Sequence, residues 1–452
     1  MRRLSVPERF AACSAAFSEL TRIRVEGRVA GTSGLTVDID GLAGQLAVRD
    51  LVYLSPRAGL PVPAEVVAFR GGTAQAMPFN EVAGLGPGAA VVMGRRQTQA
   101  LPVSEGWLGR VVDPLGIPLD GRGPLPAGPV WREVNGAAPV ATGRARLGPA
   151  IDLGVRSLNC FATCRQGQRL GLFAGSGVGK STLLAMMARE TDADVVVLGL
   201  VGERGREVRE FLEDDLGERG LARSVVVVAT SDSSPLRRRQ AAPAAMTIAE
   251  HFRDAGKSVL LLVDSITRFC LALREIGLSA GEPPATRGYP PTVFTALPRL
   301  LERAGPGLQR PDGSAGYITA LFTVLVEGDD MNEPVADAVR GTLDGHVVLD
   351  RSIAERGRFP AVDVLRSLSR AAGGCLDDDA AALVRRARGI LSLHADMADL
   401  VRLGAYRAGG DPAVDDALAI APRIEAMLQQ DRSERSSLAE SFALLRNAME
   451  AA

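Results

Sequence analysis

The stretch RLGLFAGSGVGKSTLLAMMARE, residues 169–190, decides the fold. A short apolar run, residues 170–173, ends in a loop made of Ala174, Gly175, Ser176, Gly177, Val178, Gly179, Lys180 and Ser181, and Thr182 follows. Leu183, Leu184, Met186 and Met187 then lie in a helix-forming segment. Strand, glycine-rich loop and helix in that order form the context in which a phosphate-binding loop makes physical sense. Glycines let the backbone curl so that several N–H groups face one anion. The helix that starts near Ser181 turns its positive end to the same place. Lys180 adds a full charge for the β and γ phosphates, and the Ser181 hydroxyl suits an accompanying Mg²⁺. Ala174 stands where the common pattern has its first glycine. The bland alternative is a glycine-rich turn before a helix; the flanking strand and helix favour a nucleotide.

Working outward, 452 residues suffice for about three domains. The balance of 52 basic and 53 acidic residues argues against a polycation that coats nucleic acid. Aromatics are 4% of the chain, too few for the stacking platforms of single-strand binders. Cys160 and Cys164 lie close together, but no second pair or histidine cluster accompanies them, so Cys13, Cys160, Cys164, Cys270 and Cys375 read as reduced thiols and not as a metal site. No apolar run reaches membrane-spanning length and the charged N-terminus has no leader pattern, so the expectation is a soluble, cytoplasmic protein.

Residues 1–21 read as an amphipathic helix, because Phe10, Cys13, Phe17 and Leu20 share one face. That face packs on its own domain or docks a partner. From Ile23 the period changes to two, with Val25 and Val29, then Leu35, Val37 and Ile39. Further short runs at 51–54, 66–69 and 89–93 make residues 22–95 a small closed β-barrel. A Gly/Pro-rich connector at 107–125 wraps onward into residues 96–370, the nucleotide-binding domain. There the runs 195–201, 225–228 and 259–263 are continuous and apolar, as strands buried on both faces are. Charged helical segments around 207–216 and 247–255 separate them, and 317–326 and 346–349 are further strands. The fold class is α/β with a mostly parallel sheet. Residues 371–452, rich in Ala, Leu and Arg, read as a C-terminal helical domain.

Several residues at the ends of these strands carry acid or arginine. Asp264 ends the run 260–263, where it reaches a Mg²⁺ at the carboxyl edge of a parallel sheet or caps the following helix. Glu203 also ends a strand, where a carboxylate orients or deprotonates an attacking water. Arg204 and Arg268 either neutralise phosphate or pair with nearby acids, and spacing does not choose. Phe359 packs on adenine or in the core. Arg370, taken alone, is a surface arginine.

Together these segments resemble the flagellar and type III protein-export ATPases, relatives of the catalytic subunit of the F-type and V-type rotary ATPases. The resemblance rests on AGSGVGKST, VVLGLVGERGREVREF, the long stretch from LLLVDSITRF to LLERAG, VLVEGDDMNEPVADAVRGTLDGHVVLDR and FPAVDVLRSLSR. The tail LVRLGAYRAGGDPAVDDAL is similar to the export branch, and TSDSSPLRRRQAA with GLSAGEPPATRGYPPTVF looks flagellar. The resemblance implies a RecA-like ATPase core that uses ATP and Mg²⁺, with Ser181 and Asp264 toward the metal. It makes Glu203 the water-polarising glutamate and sets Arg204 and Arg268 around the γ-phosphate. Phe359 becomes an aromatic stacked on adenine, where relatives often have Tyr. Arg370 becomes an arginine finger that enters the neighbouring subunit's site in a homo-hexamer.

The implied partners are a stator-like regulatory protein, a stalk-like central protein, export-gate membrane proteins, and export substrates with their chaperones, at the cytoplasmic side of the inner membrane. Competing readings are an injectisome ATPase, a non-catalytic ring subunit and a hexameric nucleic-acid motor. Glu203 argues against the second. The first 95 residues, with one Tyr and no Trp, argue against the third.

Overall fold

The computed structural model describes residues 25–94, 99–326 and 330–450. The amphipathic helix expected at 1–21 lies outside the described residues. Chain contacts divide the protein into two compact units, residues 1–98 and 99–452.

The first unit is a closed barrel of six strands. They are β1 (Glu26–Ser33), β2 (Thr36–Asp40), β3 (Leu51–Leu54), β4 (Val62–Arg70), β5 (Thr73–Pro78) and β6 (Ala90–Met93). Their order is β1-β2-β5-β4-β3-β6, and β1 pairs with β6 to close the ring. Closure leaves no unpaired edge. Alternate residues point inward, so Val29, Val37, Ile39, Val52, Leu54, Val66 and Val91 form the core. The period-two reading therefore located the barrel. It passed over β5, whose inward residues are Ala74 and Ala76, too small to stand out as an apolar run.

The second unit is built on a sheet whose main path has eight strands. They are β7 (Arg110–Val112), β8 (Arg169–Ala174), β9 (Val195–Glu203), β10 (Ser224–Thr230), β11 (Ser258–Asp264), β12 (Tyr317–Leu325), β13 (Gly345–Leu349) and β14 (Val362–Ser369). The order is β14-β13-β8-β12-β11-β9-β10-β7. All neighbours on this path are parallel except the β13–β14 pair. The continuous apolar runs have a direct cause. Val196, Leu198 and Leu200 of β9 enter one core layer, while Val195, Val197 and Val201 enter the other. Strands β10 and β11 divide their residues in the same way. Each such side chain removed from water contributes about 1.5–3 kcal/mol.

On one face of the sheet lies the helix Lys180–Glu190 (α2), preceded in the chain by the short helix Arg156–Phe161 (α1). The other face carries the long helix Pro235–Asp254 (α3) and the helix Ile266–Ser279 (α4). The helical segment expected around 247–255 is the end of α3, which starts at Pro235. Ser234 caps it by accepting the Arg237 N–H, and Pro235 takes the first helical position, where its missing N–H costs nothing. The segment expected at 207–216 is helix Gly205–Glu210 continued by a π-helical turn, Phe211–Leu216.

Two segments exceed the sequence reading. The connector contributes β7, an edge strand beside β10, and Arg110 there forms a double hydrogen bond with Asp120 at 2.7 and 2.9 Å. That pairing holds the Asp120 carboxyl well below the usual carboxylate range. The C-terminal helices Asp378–Arg402 (α5), Pro412–Leu428 (α6) and Leu438–Glu450 (α7) place Leu391, Ile420, Ile424 and Leu445 in the same core layer as α2. Cys160, Cys164 and Cys270 are buried free thiols, and burial alone pushes Cys160 up to about 12. Among the described residues no helix is long and apolar enough to cross a membrane.

Candidate active site

Parallel strands deliver their C-terminal ends to one edge of a sheet, and that edge is where this chain concentrates its chemistry. β8 runs into the loop 175–179, and α2 begins at Lys180. Gly179 has φ +84°, a conformation that L side chains rarely adopt, and a Cβ there would sit 3.4 Å from the Phe359 ring. The loop, Lys180, Ser181 and Thr182 line an open cleft of about 900 Å³ together with Glu203, Arg204, Glu207, Arg268 and Arg351.

The interior of the cleft is a three-charge cluster. The Lys180 ammonium makes a close ion pair with Asp264 Oδ1, and it lies 3.7 Å from Glu203 Oε1. Asp264 is buried, and its Oδ1 also accepts a hydrogen bond from the Thr323 hydroxyl at 2.7 Å. The helix-cap alternative for Asp264 is excluded by its neighbour: Ser265 is the N-cap of α4 and its hydroxyl accepts the Arg268 N–H. Glu203 Oε1 accepts no hydrogen bond from any described residue. Burial pushes the Glu203 carboxyl above its ordinary value, Lys180 pulls it back, and Asp264 raises it again.

The arginines occupy distinct positions. The Arg268 stem packs against Gly202, where φ is +73° and a Cβ would meet Arg268 Cβ and Cδ at 3.1 Å. Arg204 precedes the helix Gly205–Glu210, and its largely exposed side chain pairs with exposed Glu207 at 3.4 Å. Such a pair is worth little, so the guanidinium is available to an anion. Arg351, which the sequence reading did not single out, donates to the Ser176 carbonyl at 3.3 Å. It follows Asp350 at the end of β13, so the strand-end argument applied to Asp264 could have found it.

Phe359 is half-exposed beside the loop. It lines a second pocket of about 430 Å³ with Gly179, Thr182, Gln429, Asp431 and Arg432. The segment after α6 is stitched there by the Gln430 N–H to the Phe359 carbonyl at 2.9 Å. Arg156 also donates to the Gln429 carbonyl at 2.9 Å. No reading of local sequence tied residues 429–432 to the loop, since the tie is entirely tertiary. Arg370 behaves differently from the other residues. It is exposed at the end of β14, its N–H donates to the Asp344 carbonyl, and it lines neither pocket.

The ATP synthase alpha/beta family, nucleotide-binding domain, matches residues 154–369, and the T3SS EscN ATPase C-terminal domain matches residues 376–447. The flagellum-specific ATP synthase of Caulobacter vibrioides is 54% identical over 95% of this chain and 97% of its own length. The chain belongs to the flagellum-specific ATP synthase and type III secretion ATPase family. A type 3 secretion system ATPase of Sinorhizobium fredii is 43% identical over 93% of the chain and 91% of its own. Among solved structures, the assembled ATPase EscN of the enteropathogenic E. coli type III secretion system superposes with TM-score 0.85 at 37% identity. It covers 94% of this chain and all of that one. EscN in complex with its central stalk EscO superposes with TM-score 0.83 at 37% identity over the same shares. Membership makes the protein a nucleotide-binding ATP hydrolase, with the RecA-like core, N-terminal barrel and C-terminal helices that the sequence led us to expect.

Proposed function

We propose that this ATPase energises protein export through a flagellar type III apparatus, working as a homo-hexamer with catalytic sites completed between subunits. The observation that carries the reading is the cluster of Lys180 and Glu203 in the cleft with buried Asp264 against Lys180, while Arg370 stands exposed outside it. Lys180, Arg204, Arg268 and Arg351 bring cations to the cleft from one subunit, and Arg370, exposed outside it, is placed to bring one to a neighbour. An arginine lent in this way stabilises charge on the transferring phosphoryl group.

Within one subunit, the loop amides and Lys180 hold the β and γ phosphates. Glu203 orients the attacking water and takes up its proton, a role that suits a carboxyl held above its ordinary value by burial. Arg268, Arg204 and Arg351 neutralise phosphate oxygens from the cleft wall. Phe359 covers the base. The oxygen donors here fit Mg²⁺, a hard cation: Ser181 is exposed at the start of α2, and Asp264 is a buried carboxylate. When bound, Mg²⁺ would neutralise charge on the phosphates.

The partners that fit this reading are a stator-like regulatory protein, a stalk-like central protein, export-gate membrane proteins, and export substrates with their chaperones. Protein, not nucleic acid, is the cargo, and the ring works at the cytoplasmic face of the inner membrane. The greater identity to the Caulobacter flagellar protein than to the Sinorhizobium secretion ATPase favours the flagellum over an injectisome. Replacing the chromosomal copy with Glu203→Gln tests this. Cells should lose hook, filament and swimming, and the wild-type copy should restore them. Intact flagella with loss of effector secretion would transfer the protein to an injectisome.

A further inference from the structure

Thr323 sits in β12, in the run Tyr317–Leu325, where every side chain from Ile318 to Val324 is buried. It pairs in register with Leu172, two residues before β8 ends. Valine would serve this position as well for strand propensity and shape, since both side chains are β-branched and differ by one hydroxyl. The hydroxyl has a defined use: it donates to Asp264 Oδ1 at 2.7 Å. The Lys180 ammonium contacts that same oxygen. One carboxylate oxygen thus holds two donors of different kinds. Lysine is a mobile charge on a long stem, and the threonine hydroxyl is fixed to a strand by a stiff side chain.

We propose that Thr323 is a positioning residue that keeps the Asp264 carboxylate oriented when Lys180 leaves it for the phosphates. The inference rests on the ATPase reading above. Binding a nucleotide recruits the Lys180 ammonium toward anionic oxygens and strips Asp264 of its cation. Without a second donor, a buried carboxylate oxygen left with no partner would swing toward another one. With Thr323 in place, Oδ1 remains bonded and the carboxylate keeps its direction toward the cleft. Thr323 therefore acts through Asp264 on the metal side of the site and leaves the grip of the loop on the phosphates alone. Thr267 supports the same strand end, since its hydroxyl accepts the Leu325 N–H at 2.9 Å.

The test is Thr323→Val, read by calorimetric titration of the full chain with ATP in excess Mg²⁺ and again in chelator. A hydrogen bond to a charged group converts to a factor of about ten or more. Affinity for metal-free ATP should stay within about two-fold of wild type, because Lys180 and the loop are untouched. Affinity for MgATP should fall about ten-fold, with kcat reduced in parallel, and Thr323→Ser should restore both. In an Asp264→Asn background the valine substitution should add nothing further. Equal losses with and without Mg²⁺, no loss in either, or full additivity with Asp264→Asn would overturn the proposal. If the valine variant fails to fold, Thr323→Cys, close in volume with a weak donor, carries the same comparison. Failure of the wild-type chain to bind ATP at all would overturn the ATPase reading and this inference with it.

Discussion

Replacing Lys180 by methionine should destabilise the empty protein as well as abolish ATP turnover, and the cluster around it sets the size of the effect. Methionine keeps the length of the apolar stem and deletes the ammonium, with its charge and its donors. The Lys180 side chain is 11% exposed, Glu203 16% and Asp264 4%, so all three groups are largely out of water. At the 3.7 Å separation of Lys180 and Glu203, Coulomb attraction with an effective dielectric near 20 amounts to about 4.5 kcal/mol, before any desolvation is subtracted. Removing one member of a buried pair costs about 3–5 kcal/mol, because the remaining charge stays behind uncompensated. We therefore expect Lys180→Met to lower unfolding free energy by about 3–5 kcal/mol at neutral pH.

The measurement is urea denaturation of nucleotide-free protein followed by tryptophan fluorescence, since of the two indoles Trp107 is buried in the second unit and Trp131 is already exposed. Asp264→Asn alone should cost less, and the double variant should be more stable than the sum of the two predicts. The pH dependence has a definite sign. Burial raises the Glu203 carboxyl and Lys180 is its largest opposing influence, so the folded protein binds this proton more readily than the unfolded chain does. Between the ordinary carboxylate value and the raised one, stability from Glu203 grows as pH falls. Lys180→Met raises Glu203 further, so the deficit of the variant should be greatest at neutral pH and narrow on acidification. A loss below about 1 kcal/mol at neutral pH, or a deficit that does not change with pH, would refute the charge-cluster reasoning.

Glu203→Gln should bind ATP normally and lose about 10²–10⁴ in turnover, and in the wild type the acid limb of kcat should lie above the ordinary carboxylate range because burial raises this group. Near wild-type turnover in that variant would remove Glu203 from the mechanism. Arg370→Ala should retain ATP binding and lose about 10³–10⁵ in rate. Mixing it with Lys180→Ala, each inactive alone, should return activity, because mixed rings contain interfaces with both residues intact. No recovery despite demonstrated subunit exchange would put Arg370 outside a shared site.

How much of this was legible in the sequence depends on the range of the interaction. The core strands were legible because β9, β10 and β11 are apolar on both faces, a property their own residues carry. The phosphate loop was legible because glycine, lysine and serine do their work within eight residues of one another. β7 was not, since a three-residue strand in a Gly/Pro-rich connector is defined by its neighbour β10 and not by its own pattern. The long helix Pro235–Asp254 was read late because its first turns carry three consecutive arginines, Arg237, Arg238 and Arg239, which hide an apolar face. Residues 429–432 were invisible as pocket residues, because what brings them to the loop is a set of long-range hydrogen bonds with Arg156, Gly154, Arg189 and Phe359.

Asp264 shows the limit most plainly. In the sequence LLLVDSITRF, a metal-facing acid and a helix cap are written with the same letters. What separates them is a division of labour between adjacent residues. Ser265 takes the capping bond to the Arg268 N–H, and this frees the Asp264 carboxylate to face Lys180 and Thr323. Lys180 lies 84 residues away in the chain and Thr323 lies 59 away, so neither partner leaves a trace in the local pattern. A buried acid with one mobile cation and one fixed hydroxyl on the same oxygen is a group prepared to exchange its cation without moving. Local sequence supplies the acid, and only the packed sheet, which sets β12 next to β11 and β8 with its loop next to β12, supplies that readiness.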